Sequence, residues 1–178
     1  MKVFSTVVLA LAILAACHSG DRLEDRPFFF DFETDGELDY ITWECGELFE
    51  RTTDFRTSGQ FGLRLTLFER DSIGLRIHKF REDWRGMRTI KIDVSNPQDT
   101  TIVLYFRTSD IDRATPEDFF NLHFPLKPGL NRITIPLDSL RLPASGRRLD
   151  KRHVKLVEFF VYSPRRGTVL YFDYLRLQ

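Results

Sequence analysis

Beyond Arg26 the chain is a succession of short runs in which apolar and polar residues change places at every step. In residues 62–67, Leu63, Leu65 and Leu67 fall on one side and Arg64 and Thr66 on the other; in residues 89–94, Ile90, Ile92 and Val94 oppose Thr89, Lys91 and Asp93. A side-chain period of two describes a strand with one buried and one wet face. Ten runs of this kind are read at 27–32, 40–49, 61–68, 73–80, 88–94, 101–107, 119–126, 131–137, 154–162 and 168–177. Turn chemistry separates them, as in SNPQDT at 95–100, LKPGLN at 126–131 and SPRRG at 163–167. No twelve-residue window sustains a helical stripe, although PEDFF after Thr115 suits a single turn. Half-wet strands must hide their apolar faces against a second layer. The expected fold is therefore all-β, a two-sheet antiparallel β-sandwich.

Ahead of the strands lies MKVFSTVVLALAILAAC. Lys2 is followed by an uncharged run from Val3 to Ala16, shorter than a bilayer span, which reads as the h-region of a cleaved signal peptide. Its end, Leu14-Ala15-Ala16-Cys17, resembles the bacterial lipobox, in which the Cys is lipidated and becomes the first residue; plain secretion is the alternative. The expected organisation is a signal peptide at 1–16, a lipidated tether at 17–26 and one domain at 27–178. In that resemblance His18, where an Asp would imply inner-membrane retention, implies the outer membrane or cell surface. With Cys17 acylated, Cys45 has no partner, which removes a disulfide scaffold and a Cys-rich metal site. Within ITWECGELF, Cys45 reads as a small buried hydrophobe. The 26 Lys and Arg offset 26 Asp and Glu, and losing Lys2 with the signal leaves one acid in excess. There is no basic surplus to draw nucleic acid.

Signatures of catalysis are missing: no HExxH, no GxSxG and no Gly-rich phosphate loop after a strand. Glu69 with Glu158 is an acid pair that a glycosidase would want, but nothing in the sequence sets their separation. No enzymatic activity is expected. The basic stretch at 146–155, GRRLDKRHVK, reads as a solvated loop, with contact to anionic lipid as the lesser alternative.

The order of motifs carries a resemblance across nearly all of residues 27–178: FDFETDGELDYITW at 30–43, RTSGQFGLRLTL at 56–67, DWRGMRTIKIDVSNP at 83–97, LKPGLNRITIPLDSL at 126–140 and VEFFVYSPRRGTVLYFDYLRL at 157–177. The chain resembles the galactose-binding-like, jelly-roll β-sandwich domains, in particular bacterial carbohydrate-binding modules. That resemblance implies a structural calcium held by Glu33 and Asp173 with main-chain oxygens around Thr57, Ser58 or Gly59, and with Asp31 and Asp35 as substitutes for Glu33. Calcium takes six to eight oxygens and would neutralise two acids. The competing reading has Asp173 accepting backbone N–H groups or pairing with an arginine.

If the aliphatic residues face inward, the other side of the strands carries Arg76 and His78, Tyr105 and Arg107, Asn121 and His123, Arg132 and Thr134, and Glu158, Phe160 and Tyr162. In the jelly roll that the resemblance implies, several of these strands lie side by side. Aromatic rings that meet the C–H face of a pyranose, beside planar donors for its hydroxyls, suit a saccharide. The expected ligand residues are Arg76, His78, Tyr105, Arg107, Asn121, His123, Glu158 and Tyr162; the arginines and histidines favour an acidic sugar. Trp43 and Trp84 are read as core or rim. An ordinary solvated face, or a contact with another envelope protein, is the alternative.

Overall fold

The computed structural model describes residues 29–42 and 44–178. The expected signal peptide, Cys17, the tether and Trp43 lie outside the described residues.

The alternating runs form two antiparallel sheets. One has the order β3 (Glu47–Thr52), β4 (Gly62–Leu67), β11 (Thr168–Leu177), β6 (Thr89–Asn96) and β9 (Gly129–Pro136), with β1 (Phe29–Phe30) added to β11 beyond the end of β4. The other has the order β2 (Ile41–Thr42), β5 (Ser72–Ile77), β10 (Leu156–Tyr162), β7 (Ile102–Ser109) and β8 (Phe120–Leu126). The anticipated single turn after Thr115 is a 3-10 turn at Pro116–Asp118. The turns at 95–100, 126–131 and 163–167 each carry the chain from one sheet to the other, so most sequence neighbours do not pair.

Alternation produces the core directly. Leu63, Leu65, Leu67, Ile90, Ile92, Val94, Leu170 and Phe172 come from the larger sheet and meet Ile73, Leu75, Ile77, Leu104, Phe106, Val157 and Phe159 from the smaller one; all are buried. Each such side chain contributes about 1.5–3 kcal/mol on leaving water. Trp84 joins this core fully buried, its Nε1 donating to the Arg81 carbonyl at 2.9 Å.

The run at 40–49 departs from the single strand expected of it. It divides into β2 and β3, which belong to different sheets, across a reversal at Gly46 whose φ is 114°. Cys45 sits on that turn and is exposed rather than buried. Its alternation with Ile41 and Glu47 has no structural meaning, because the strand that would express it is interrupted. In the 146–155 stretch, read as a solvated loop, four of the five Lys and Arg residues are paired. Arg147 pairs with Asp110 at 2.6 Å, Lys151 with Asp138 at 3.0 Å, Arg152 with Asp150 at 2.9 Å and Lys155 with Glu82 at 2.6 Å.

A charged side chain also faces inward. Glu47 lies at the start of edge strand β3, on the same side as Phe49, and is 3% exposed. Its carboxylate accepts the amides of Glu44, at 3.2 Å, and of Gly74. β2 covers β5 only at Arg76 and Ile77, so Glu47 occupies the stretch of β5 edge that β2 leaves open. An inward acid at an edge discourages pairing with other chains. Burial and the neighbouring Glu44 charge push this carboxyl up to about 7, against amide hydrogen bonds that pull it down, and Oε2 has no hydrogen-bond partner.

A folded-state pKa above the unfolded value means that the native protein holds the extra proton. Stability from Glu47 is then fully present below about pH 4.5 and is lost as pH rises through about 7. Glu47→Gln should remove that slope and exceed the wild type in unfolding free energy by on the order of 3 kcal/mol at pH 8, where each pKa unit is worth about 1.4 kcal/mol. Urea melts of both proteins at pH 4.5, 6 and 8 measure it; parallel profiles would show that Glu47 ionises freely in the fold.

Candidate functional site

The outward face of the five-stranded sheet gathers seven of the eight ligand residues expected from the sequence. Register places them in two rows across the strands. Thr42, Arg76, Glu158, Arg107 and Asn121 form the first; Gly74, Phe160, Tyr105 and His123 form the second, with Tyr162 two positions beyond Phe160 along β10. The eighth, His78, follows β5, and its Nδ1 lies 3.0 Å from the Thr42 hydroxyl; burial and then Lys79 hold its pKa below the ordinary value. Arg132 and Thr134, on β9, belong to the other sheet.

Phe160 organises the second row. It points outward and yet is 1% exposed, because other side chains cover it. Tyr105 stacks beside it at 5.5 Å between ring centroids, Tyr162 meets it edge-on at 5.1 Å, and the Arg107 guanidinium lies 4.4 Å from its centroid. Tyr105 and Tyr162 are themselves edge to face at 4.7 Å. Gly74 lies opposite Phe160 on β5, and a Cβ there would come within 2.1 Å of the Phe159 carbonyl oxygen. Only glycine lets the strands approach this closely beneath the ring cluster.

Charge in the first row is largely neutralised. Glu158, 7% exposed, lies between Arg76 (Nη2 to Oε1, 3.0 Å) and Arg107 (Nη1 to Oε2, 3.6 Å), while Arg76 also reaches Glu44 at 2.7 Å. Arg107 is further fixed by Asn121 Oδ1 and the Tyr162 hydroxyl, both at 3.4 Å, and by the Phe119 ring at 4.6 Å. These arginines act as rigid planar donors rather than as free cations, which removes the expected leaning toward acidic sugars from this row. Phe119 and Glu44 were not among the expected ligand residues although both fall in runs read as strands; Phe119 immediately precedes β8, and Glu44 lies between β2 and β3. The second row opens at one end into a cleft of about 640 Å³ with Tyr105 and Tyr162 on its wall.

The expected calcium pair meets the same turn, in a different way. Glu33 Oε1 accepts the amides of Gln60 (2.8 Å) and Phe61 (2.9 Å). Asp173 Oδ2 accepts the Thr57 amide, the Thr57 hydroxyl at 3.2 Å and the Ser58 amide at 2.8 Å, and its Oδ1 accepts the Tyr174 amide at 2.6 Å. Gly59, at φ 55°, turns the chain between the two carboxylates; a Cβ there would lie 2.1 Å from Glu33 Oε1. Asp35 pairs with Arg51 at 2.7 Å instead. Both carboxylates thus meet N–H and hydroxyl donors of this turn, the arrangement of the competing reading. Burial pushes Asp173 above the ordinary carboxylate range, and nearby Asp31 adds to this, while the turn's hydrogen bonds work against it.

Comparison with solved structures gives the same architecture. A family 11 carbohydrate-binding module from Clostridium thermocellum, in complex with a β-1,3-1,4-mixed-linked tetrasaccharide, aligns at TM-score 0.62 and 15% identity over 83% of this chain and 92% of its own. The shared feature is the two-sheet β-sandwich fold. An exo-β-agarase aligns at TM-score 0.66 and 18% identity, over 86% of this chain and 25% of its own. A Clostridium thermocellum xylanase of CBM22-1 and GH10 modules, complexed with xylohexaose, aligns at 0.58 and 12%, over 86% of this chain and 28% of its own. No protein-family model and no curated protein matches the chain.

Asp173→Asn turns an acceptor into a donor before the amides of Thr57 and Ser58. It should cost about 2–3 kcal/mol, a melting drop of roughly 5–10 °C. A calcium chelator should leave the wild-type melting curve in place; a chelator-induced drop would restore the metal.

Proposed function

We propose that this chain is a non-catalytic glycan-binding module that recognises a poly- or oligosaccharide on the outward face of its five-stranded sheet. The observation that carries this reading is the preformed cluster of Tyr105 and Tyr162 around buried Phe160, flanked by Arg107, Asn121 and His123. A pyranose has an apolar C–H face and a rim of hydroxyls. Rings held at fixed angles take the first, and planar donors fixed by their own hydrogen bonds take the second. Because Phe160 and Glu158 already lock these side chains, little conformational entropy is lost on binding.

The absence of chemistry in this reading rests on Glu158. An acid clamped between Arg76 and Arg107 is a structural counter-ion and a poor proton shuttle. Lipid on Cys17, after cleavage of residues 1–16, would hold the module at the outer membrane or cell surface, within reach of extracellular polysaccharide. Nothing in the reading calls for calcium. The mixed-linked tetrasaccharide held by the family 11 carbohydrate-binding module that shares this fold supports glycan as the ligand class.

Affinity electrophoresis and calorimetry against a polysaccharide panel test it. Tyr105→Ala and Tyr162→Ala should each weaken binding at least tenfold. Tyr162→Ala should do so with only a small drop in melting temperature, since Tyr162 is half exposed and its loss removes ring contacts with Phe160 and Tyr105. Full affinity in both variants would move the site off this face.

A further inference from the structure

Three hollows in the surface hold polar side chains. A hollow of about 300 Å³ beside Arg76 and Arg107 belongs to the first row of the face already described. A hollow of about 460 Å³ on the outer face of the larger sheet mixes Lys91, Arg132 and Arg176 with Asp93, which stands 4.0 Å from Arg132. The third, the 640 Å³ cleft at the end of the second row, is better constructed than either.

Its two banks are the turn at 97–101 and the turn at 163–167, and hydrogen bonds join them. The Gln98 side chain donates from Nε2 to the Val169 carbonyl at 2.8 Å and accepts the Val169 amide on Oε1 at 2.9 Å, so one side-chain amide pairs with β11 as a strand residue would. Asn96, fully buried, holds Gln98 through Oδ1 at 2.5 Å to Nε2, and binds the carbonyls of Thr100 and Leu126 through its own Nδ2.

The far bank is equally fixed. Ser163 donates its amide to Asp71, Gly167 donates to Leu67, and Thr168 donates both its amide and its hydroxyl to the Arg165 carbonyl. Ser163 (φ 44°) and Gly167 (φ 80°) sit in the left-handed region and tighten the turn, and Pro164 is buried. On this anchored backbone Arg165 and Arg166 are exposed, and neither guanidinium has a hydrogen-bond or ion-pair partner among the described residues. Asp99, on the other bank, is the only acid that lines the cleft, so its net charge is positive.

We propose that this cleft is an end-site of the glycan platform that takes an anionic oxygen group, a uronate carboxylate or a sulfate ester, between Arg165 and Arg166. The inference rests on the glycan-binding reading above and deepens it. A saccharide laid over Tyr105 and Tyr162 runs directly into the cleft, because both tyrosines line it. Arg76 and Arg107 are neutralised by Glu44 and Glu158, whereas Arg165 and Arg166 keep all of their donors for bidentate contact with an oxyanion. The acidic preference expected of the strand arginines and histidines falls instead to the unpaired arginines of the SPRRG turn.

The test uses the full chain and matched polymers that differ in charge: methyl-esterified pectin against polygalacturonate, and dextran against dextran sulfate. Wild type should bind at least one charged polymer tenfold or more tightly than its neutral counterpart, and the polymer that shows the margin identifies carboxylate or sulfate. The double variant Arg165→Ala, Arg166→Ala should lose that margin and keep its melting temperature, while Arg148→Ala, on a distant exposed loop, should retain it. No margin in wild type, a margin kept by the double variant, or one lost equally in Arg148→Ala overturns the end-site. Neutral-polymer binding that depends on Tyr105 and Tyr162 without an acidic margin overturns the end-site alone; no retention on any polymer, charged or neutral, overturns the platform with it.

Discussion

The organising constraint of this sandwich is the last strand. β11 lies at the centre of the six-stranded sheet and pairs with three strands: β6 along one edge, and β4 and then β1 along the other. Because β1, β4 and β6 come from well-separated parts of the sequence, its pairings are long-range contacts. Asp173 makes that placement specific. It is fully buried, sits at an irregularity where the pairing with β6 shifts, and has its charge met by the turn at 57–58. Glu33 reaches the same turn from the opening segment, so the first and last parts of the domain are joined through backbone amides. A buried carboxylate is tolerable on these terms, since several N–H groups replace its lost hydration.

Fixing β11 also shapes the candidate site. The connection from β10 to β11 crosses between sheets, and the turn that makes this crossing brings Arg165 and Arg166 beside the tyrosines of β7 and β10. Gln98 ties the crossing from β6 to β7 to the start of β11. The aromatic platform and the cationic turn are thus held by the same strand end, which gives the face a direction: neutralised arginines at one end, free ones at the other.

Much of the face was legible. Alternation alone put Tyr105, Arg107, Asn121, His123, Glu158 and Tyr162 on the sides of their strands opposite the core, and each is there. Alternation was silent on which strands are neighbours, which is why Arg132 and Thr134 looked equivalent to them and yet lie on the other sheet. Electrostatics were less legible still. Whether Arg76 is a free cation or half of an ion pair depends on Glu158, 82 positions away in the chain. Cys45 was misread for a local reason: β2 ends at Thr42 and Cys45 lies with Gly46 on the turn before β3, and a periodic pattern that continues across a turn carries no information about burial.

By itself, the sequence determined the class of fold, the core and the wet faces, because the period-two pattern is a property of each strand's own backbone geometry. It also marked Asp173, in the last strand, as a carboxylate that needs a partner. Only the tertiary structure decided which charges cancel, what meets Asp173, and which turn brings unpaired arginines to the tyrosines. Those outcomes depend on strand order and inter-sheet crossings, contacts between residues far apart in sequence that no local pattern encodes.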